Sequence, residues 1–145
     1  MNSEIIGKLI KHWEESNVYS PPKESFLLDY RLEKKRIKLP DDFKYLYQFV
    51  GGTTDCDNEL FLFYPPEELT TMECEFALDE SDELRDVVIF VDYMQACWWY
   101  GFRITNKGYE IGIIPTGNKF KVITNSLAHF IDLYINDSDI LYDYR

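Results

Sequence analysis

The stretch Cys97–Ile123, CWWYGFRITNKGYEIGIIPTGNKFKVI, decides the fold. Its β-branched and aromatic residues follow a period of two, and TNKG (Thr105–Gly108) and PTGN (Pro115–Asn118) interrupt that period with turn residues. Three strands are therefore expected, over residues 96–104, 109–114 and 119–123, joined as an antiparallel meander. Upstream, residues 60–64 and 87–92 have the same composition and predict two more strands. On the first strand of the meander, Trp98, Tyr100, Phe102 and Ile104 point to one side and are expected in the core. Cys97, Trp99, Gly101 and Arg103 point to the other: a thiol, an indole, no side chain and a charge, the makings of a face that helices cover incompletely. Trp99 beside Arg103 is the expected exposed aromatic anchor, because Trp and Arg are enriched at energetically dominant interface positions. The competing reading packs Trp99 beneath the helices or a neighbouring acidic segment, since large apolar residues are mostly buried.

Outside this region the period becomes that of a helix. Ile5, Ile6, Leu9, Ile10 and Trp13 share one face of a helix expected from Ser3 to about Glu15, capped by Asn2 or Ser3. Ser20, Pro21 and Pro22 open a second helix expected over residues 23–35, with Phe26, Leu27 and Tyr30 inward and the basic end RLEKKR matching the helix dipole. In LPDDFKYLYQFVGG, Pro40 suits the first helical position and Asp41 and Asp42 the positive N-terminal end. Phe43, Leu46, Tyr47 and Val50 make its apolar stripe, and Gly51 and Gly52 are the expected stop. A last helix starts at the N-cap Ser126 and runs through about residue 136, with Leu127, Phe130, Ile131, Tyr134 and Ile135 on one face. Helices over 1–52, strands over 59–123 and a closing helix over 126–136 predict a single α+β domain spanning residues 1–145. Its sheet, mostly antiparallel with five or six strands, is packed by the N-terminal helices and the C-terminal one.

At 145 residues the chain is long enough to bury one real core, and 46% hydrophobic with 17% aromatic residues argues against disorder. The N-terminal residues lack a secretory-signal pattern, and no uncharged run is longer than Tyr93–Phe102, far short of the roughly 20 residues a membrane span needs. A cytoplasmic protein is expected. Cys56, Cys74 and Cys97 are three widely spaced thiols, so neither disulfide nor zinc is expected.

The net charge of −11 is not spread evenly. Residues 1–40 carry +2, residues 41–86 carry −12 and residues 87–145 carry −1. The densest part, Pro65–Asp86, holds nine acidic residues and one Arg. Such a field steers a basic partner and repels nucleic-acid phosphates, so direct nucleic-acid binding is not expected. A solvated loop that only aids solubility is the alternative.

No catalytic site stands out. His12 and His129 lie on helices without a companion, and G-x-S-x-G, Walker A, G-x-G-x-x-G and H-E-x-x-H patterns are absent. DCDNEL (Asp55–Leu60) starts like a calcium loop but has Leu60 where Gly is needed and Pro66 where the bidentate Glu belongs. Fourteen acids in residues 41–86 offer a carboxylate pair at any spacing, which gives a hydrolase reading no weight. No catalytic, cofactor or metal residue is assigned.

The segment IKLPDDFKYLYQFVGGT (Ile37–Thr53) resembles the hallmark of the SUKH superfamily, which includes Smi/Knr-type regulators of cell-wall glucan synthesis and many bacterial immunity proteins. Leu39, Pro40, Asp41, Phe43, Leu46, Gly51 and Gly52 carry that likeness. Phe90, Asp92, Tyr93 and Met94 resemble a second family segment, and Ser126, Leu127, Phe130 and Ile131 a third, so the likeness spans about residues 37–135. Arg36 and Val91 stand where relatives have Gly. The resemblance implies a non-catalytic binding protein, foremost an immunity protein that neutralises a cognate toxin such as a nuclease in the cytoplasm, or else a regulatory scaffold with several signalling partners. Joined to the charge map, it predicts that Glu67, Glu68, Asp79, Glu80, Asp82, Glu83, Trp99 and Arg103 form one partner-binding surface for a basic toxin domain.

Overall fold

A computed structural model describes residues 1–23 and 28–144. The architecture is α+β, built on a six-stranded antiparallel sheet. Helices α1 (Ser3–Glu15), α2 (Leu28–Lys34) and α3 (Asp41–Leu46) come first. Strands β1 (Phe61–Phe63) and β2 (Thr70–Thr71), helix α4 (Met72–Phe76) and strands β3 (Val88–Tyr93), β4 (Trp98–Thr105), β5 (Gly108–Ile114) and β6 (Lys121–Thr124) follow. Helix α5 (Leu127–Ile135) and a 3-10 turn at Asp139–Tyr142 complete the chain. The sheet order is β1-β3-β4-β5-β6, with β2 beside β1 along the same edge of β3.

Local chemistry accounts for the helix ends. Asn2, rather than Ser3, caps α1 by accepting from the Ile5 backbone N–H at 3.3 Å, and Ser126 caps α5 by accepting from the His129 N–H at 3.2 Å. Ile6, Leu9 and Trp13 of α1 and Leu127, Phe130, Ile131 and Tyr134 of α5 are buried against the sheet. Helix α3 ends at Leu46, earlier than the apolar stripe suggests, but turns continue to Phe49, and the Val50 N–H still reaches the Leu46 carbonyl at 3.2 Å. Asp42, expected only to favour the dipole, accepts from the Tyr109 hydroxyl at 2.5 Å, and that hydroxyl accepts from the Leu127 N–H at 2.6 Å. One phenol thereby ties α3, β5 and α5 together. Helix α2 is described from Leu28; Phe26, Leu27 and the Tyr30 side chain lie outside the described residues.

Gly52 is the stop that geometry requires. Its φ is +81°, and a Cβ there would lie 2.6 Å from the Phe63 carbonyl oxygen and the Pro65 nitrogen, both backbone atoms. Gly52→Ala is expected to cost at least about 2 kcal/mol, from left-handed strain plus overpacking. Urea unfolding measures it, and a midpoint unchanged from wild type would show that this junction yields.

Several expectations for the strands need correction. Residues 94–97 form a turn, with Met94, Gln95 and Ala96 all at positive φ, so β4 begins at Trp98. Leu60 also sits at positive φ, 73°, outside β1, and β6 begins only at Lys121. Ile104, expected in the core, is 50% exposed at the penultimate position of β4, next to the turn into β5. Tyr100 and Phe102 are fully buried, whereas Trp98 is only partly so, stacked between Tyr93 at 4.4 Å and Tyr144 at 5.1 Å. A bulge in β3 between Ile89 and Val91 puts Phe90 and Val91 both into the main core, a switch of face that strict alternation does not foresee. Among the described residues no helix is long and apolar enough to cross a membrane.

Candidate interaction surface

The second face of the sheet is the one that holds Trp99 and Arg103. The register places Leu62, Asp92, Trp99 and Ile114 in one row across β1, β3, β4 and β5. The next row contains Ile89, Gly101 and Gly112. A Cβ at Gly101 would come within 2.9 Å of the Ile114 and Val87 side chains, so the glycine gap is filled by its neighbours. Here the acidic segment returns across the sheet. Leu69 belongs to the main core beneath the helices, but Met72 belongs to a second core with Val87, Ile89 and Ile114, so the chain crosses the sheet edge at β2. Phe76, Leu78 and Leu84 of the acidic segment pack onto this second core together with Trp99 and Phe120.

Residues 70–87 are thus a folded flap, not a solvated loop. Thr71 caps α4 by accepting from the Cys74 N–H at 3.2 Å, and Ala77 closes it in the left-handed conformation. Asp79 accepts from the Ser81 N–H at 3.0 Å and hydroxyl at 3.2 Å, bonds that hold its carboxyl below the usual range. Asp82 accepts from the Leu84 N–H at 2.9 Å. The apolar side chains of the flap face the sheet. Asp79, Glu80 and Glu83 are exposed on its outside and Asp82 is half-buried.

The expected surface is therefore assembled only in part. Trp99 is half-buried, its ring edge-on to Phe76 of α4 at 5.0 Å, so it supports the flap from beneath and is not the free anchor expected of it. Tyr64, beside it, has a pKa pushed up to about 12, first by burial and then by Asp92 and Glu75, against the pull of a hydrogen bond from Trp99. Arg103 is engaged too: it bonds Glu110 at 3.0 Å and lies over the Phe120 ring at 4.9 Å. Glu67 stays on the helical side, 3.9 Å from Lys23, and its backbone carbonyl accepts from Lys35 at 3.0 Å. Glu68 is exposed in the 3-10 turn before the sheet edge is crossed. Asp79, Glu80, Asp82 and Glu83 remain together within one short stretch of the flap.

Sequence reasoning missed two features. Asp57, inside the rejected calcium-like loop, is buried and hydrogen-bonded to Tyr134. A groove also lies between α2 and α3, lined by Leu32, Ile37, Leu39 and Tyr47. Among the described residues no group of three or more His, Cys, Asp or Glu side chains is placed to hold a metal ion. Compared with models of protein families and with curated proteins, the chain matches none.

Proposed function

We propose that this protein is a non-catalytic binding module of the SUKH type, an immunity protein that holds a cognate basic toxin domain, such as a nuclease, inactive in the cytoplasm. The observation that supports this most is the flap. Four carboxylates in five positions, Asp79, Glu80, Asp82 and Glu83, sit on a segment whose apolar residues are fixed against a second core. A fixed cluster of charge presents a preorganised field, and interfaces that need not order themselves on binding lose less entropy. A nuclease holds phosphates in a basic cleft, and the acidic flap is complementary to such a cleft, with steering accelerating encounter. The chain's segmental charge, −12 in residues 41–86, favours a basic protein over nucleic acid as partner.

The test begins with capture of the partner from native cells and continues with association kinetics at several ionic strengths. The quadruple variant Asp79→Asn, Glu80→Gln, Asp82→Asn, Glu83→Gln keeps the side-chain oxygens that accept from Ser81 and Leu84, so the flap stays folded while this cluster of four charges is removed. Its association rate at low salt is expected to fall about tenfold or more, with a flatter salt dependence. Unchanged kinetics would refute the steering role of the flap.

A further inference from the structure

The groove between α2 and α3 has a volume of about 620 Å³, within the usual range of small-molecule sites. Leu32, Ile37 and Leu39, all buried, form its apolar floor. Among the described residues three cations, Arg36, Lys38 and Lys44, stand on its rim against two carboxylates, Asp29 and Glu33. This cationic margin draws on the basic end of α2, in the part of the chain that is net positive while the whole carries −11. Tyr47 also lines the groove, partly exposed. Burial, and to a lesser degree the nearby Glu67, push its pKa far up, so the phenol stays a neutral donor.

Arg36 supplies an independent observation. It sits at φ 61° just past the end of α2, where its N–H reaches the Glu33 carbonyl at 2.9 Å and the Ile37 N–H reaches the Leu32 carbonyl at 2.8 Å. That is a left-handed helix stop, the position where glycine fits freely and any other residue is strained. The chain keeps a long cationic side chain there, at the mouth of the groove, against the local backbone preference.

We propose that this groove binds a small amphipathic carboxylate, its apolar body on Leu32, Ile37 and Leu39 and its head group taken by the cationic rim and the Tyr47 hydroxyl. The site lies on the helical side of the sheet and stands independently of the toxin-binding reading.

The experiment titrates the full chain with dodecanoate, below its micelle concentration, and separately with dodecyltrimethylammonium of the same chain length. The overall charge of the protein favours the cation, so a preference for the anion can only be local. Saturable one-to-one binding of dodecanoate is expected, at least tenfold tighter than the cation. Arg36→Gly is expected to weaken dodecanoate binding about tenfold while raising the urea midpoint, and Lys44→Gln to weaken it severalfold with the midpoint unchanged. Because Arg36→Gly stabilises the fold, lost affinity there cannot be ascribed to unfolding. Absence of saturable dodecanoate binding, equal or tighter binding of the cation, or an Arg36→Gly variant that binds as wild type or is less stable would each overturn the proposal.

Discussion

Asp57→Ala is expected to cost about 3–5 kcal/mol, the range for breaking a buried charged hydrogen-bond network from one side. Asp57 is 4% exposed. One carboxylate oxygen accepts from the Glu59 N–H at 2.8 Å and the Phe61 N–H at 3.0 Å; the other accepts from the Tyr134 hydroxyl. That hydroxyl in turn accepts from the Trp13 indole N–H at 3.0 Å. A single side chain thus joins α1, α5 and the loop that leads into β1. Removing it strands two backbone donors and a phenol in the interior, each at roughly 1–3 kcal/mol, with partial relief from relaxation. Asp57→Asn keeps one acceptor oxygen for the backbone donors and is expected to cost clearly less. Urea unfolding of both variants separates the outcomes: equal losses would mean that shape, not the satisfied donors, holds this junction.

A steep loss of stability above pH 10 is the second large effect. Tyr100 and Tyr134 are 0% and 3% exposed, and burial is the main cause that raises both pKa values. The Asp57 charge raises Tyr134 further, while hydrogen bonds from Trp98 and Trp13 pull Tyr100 and Tyr134 the other way. Below the unfolded tyrosine pKa of about 10, both states keep the proton and these groups add no pH dependence. Above it the unfolded chain releases protons that the folded protein retains, so stability falls as pH rises toward the folded values. Each phenol contributes a slope of up to about 1.4 kcal/mol per pH unit, so the pair approaches 2.7 kcal/mol per unit. Tyr47, Tyr109 and Tyr142 are raised as well but are partly exposed, and they add less. The urea midpoint should drop sharply between pH 10 and 11, with tyrosinate absorbance at 295 nm from these rings appearing only on unfolding. Their ionisation in a still-folded protein of unchanged midpoint would contradict this.

The candidate surface was legible as composition and only partly as geometry. The nine carboxylates of residues 65–86 are visible in the sequence, but that the chain crosses the sheet edge between Leu69 and Met72 is not. That crossing separates Glu67, held by Lys23, from the flap carboxylates at 79–83. The apolar residues of the flap, Met72, Phe76, Leu78 and Leu84, follow no clear period, because they pack on a small second core from a five-residue helix and irregular turns. Trp99 was placed on the correct face by simple alternation. Its cover was not foreseeable, since Phe76 reaches it from 23 positions away.

By itself the sequence determined α1 and α5 with their apolar stripes, the start of α3, the meander with its two turns, and the α+β class, because periods of 3.6 and 2, caps and turn residues act within a few positions of the chain. Only the tertiary structure decided the bulge that sends Phe90 and Val91 into one core, the left-handed run Met94–Ala96, the burial of Asp57 and the exposure of Ile104. The physical reason is that each of these depends on which distant groups are available to satisfy a hydrogen bond or to exclude water. Asp57 meets Tyr134 across 77 positions, and no local pattern encodes such an encounter.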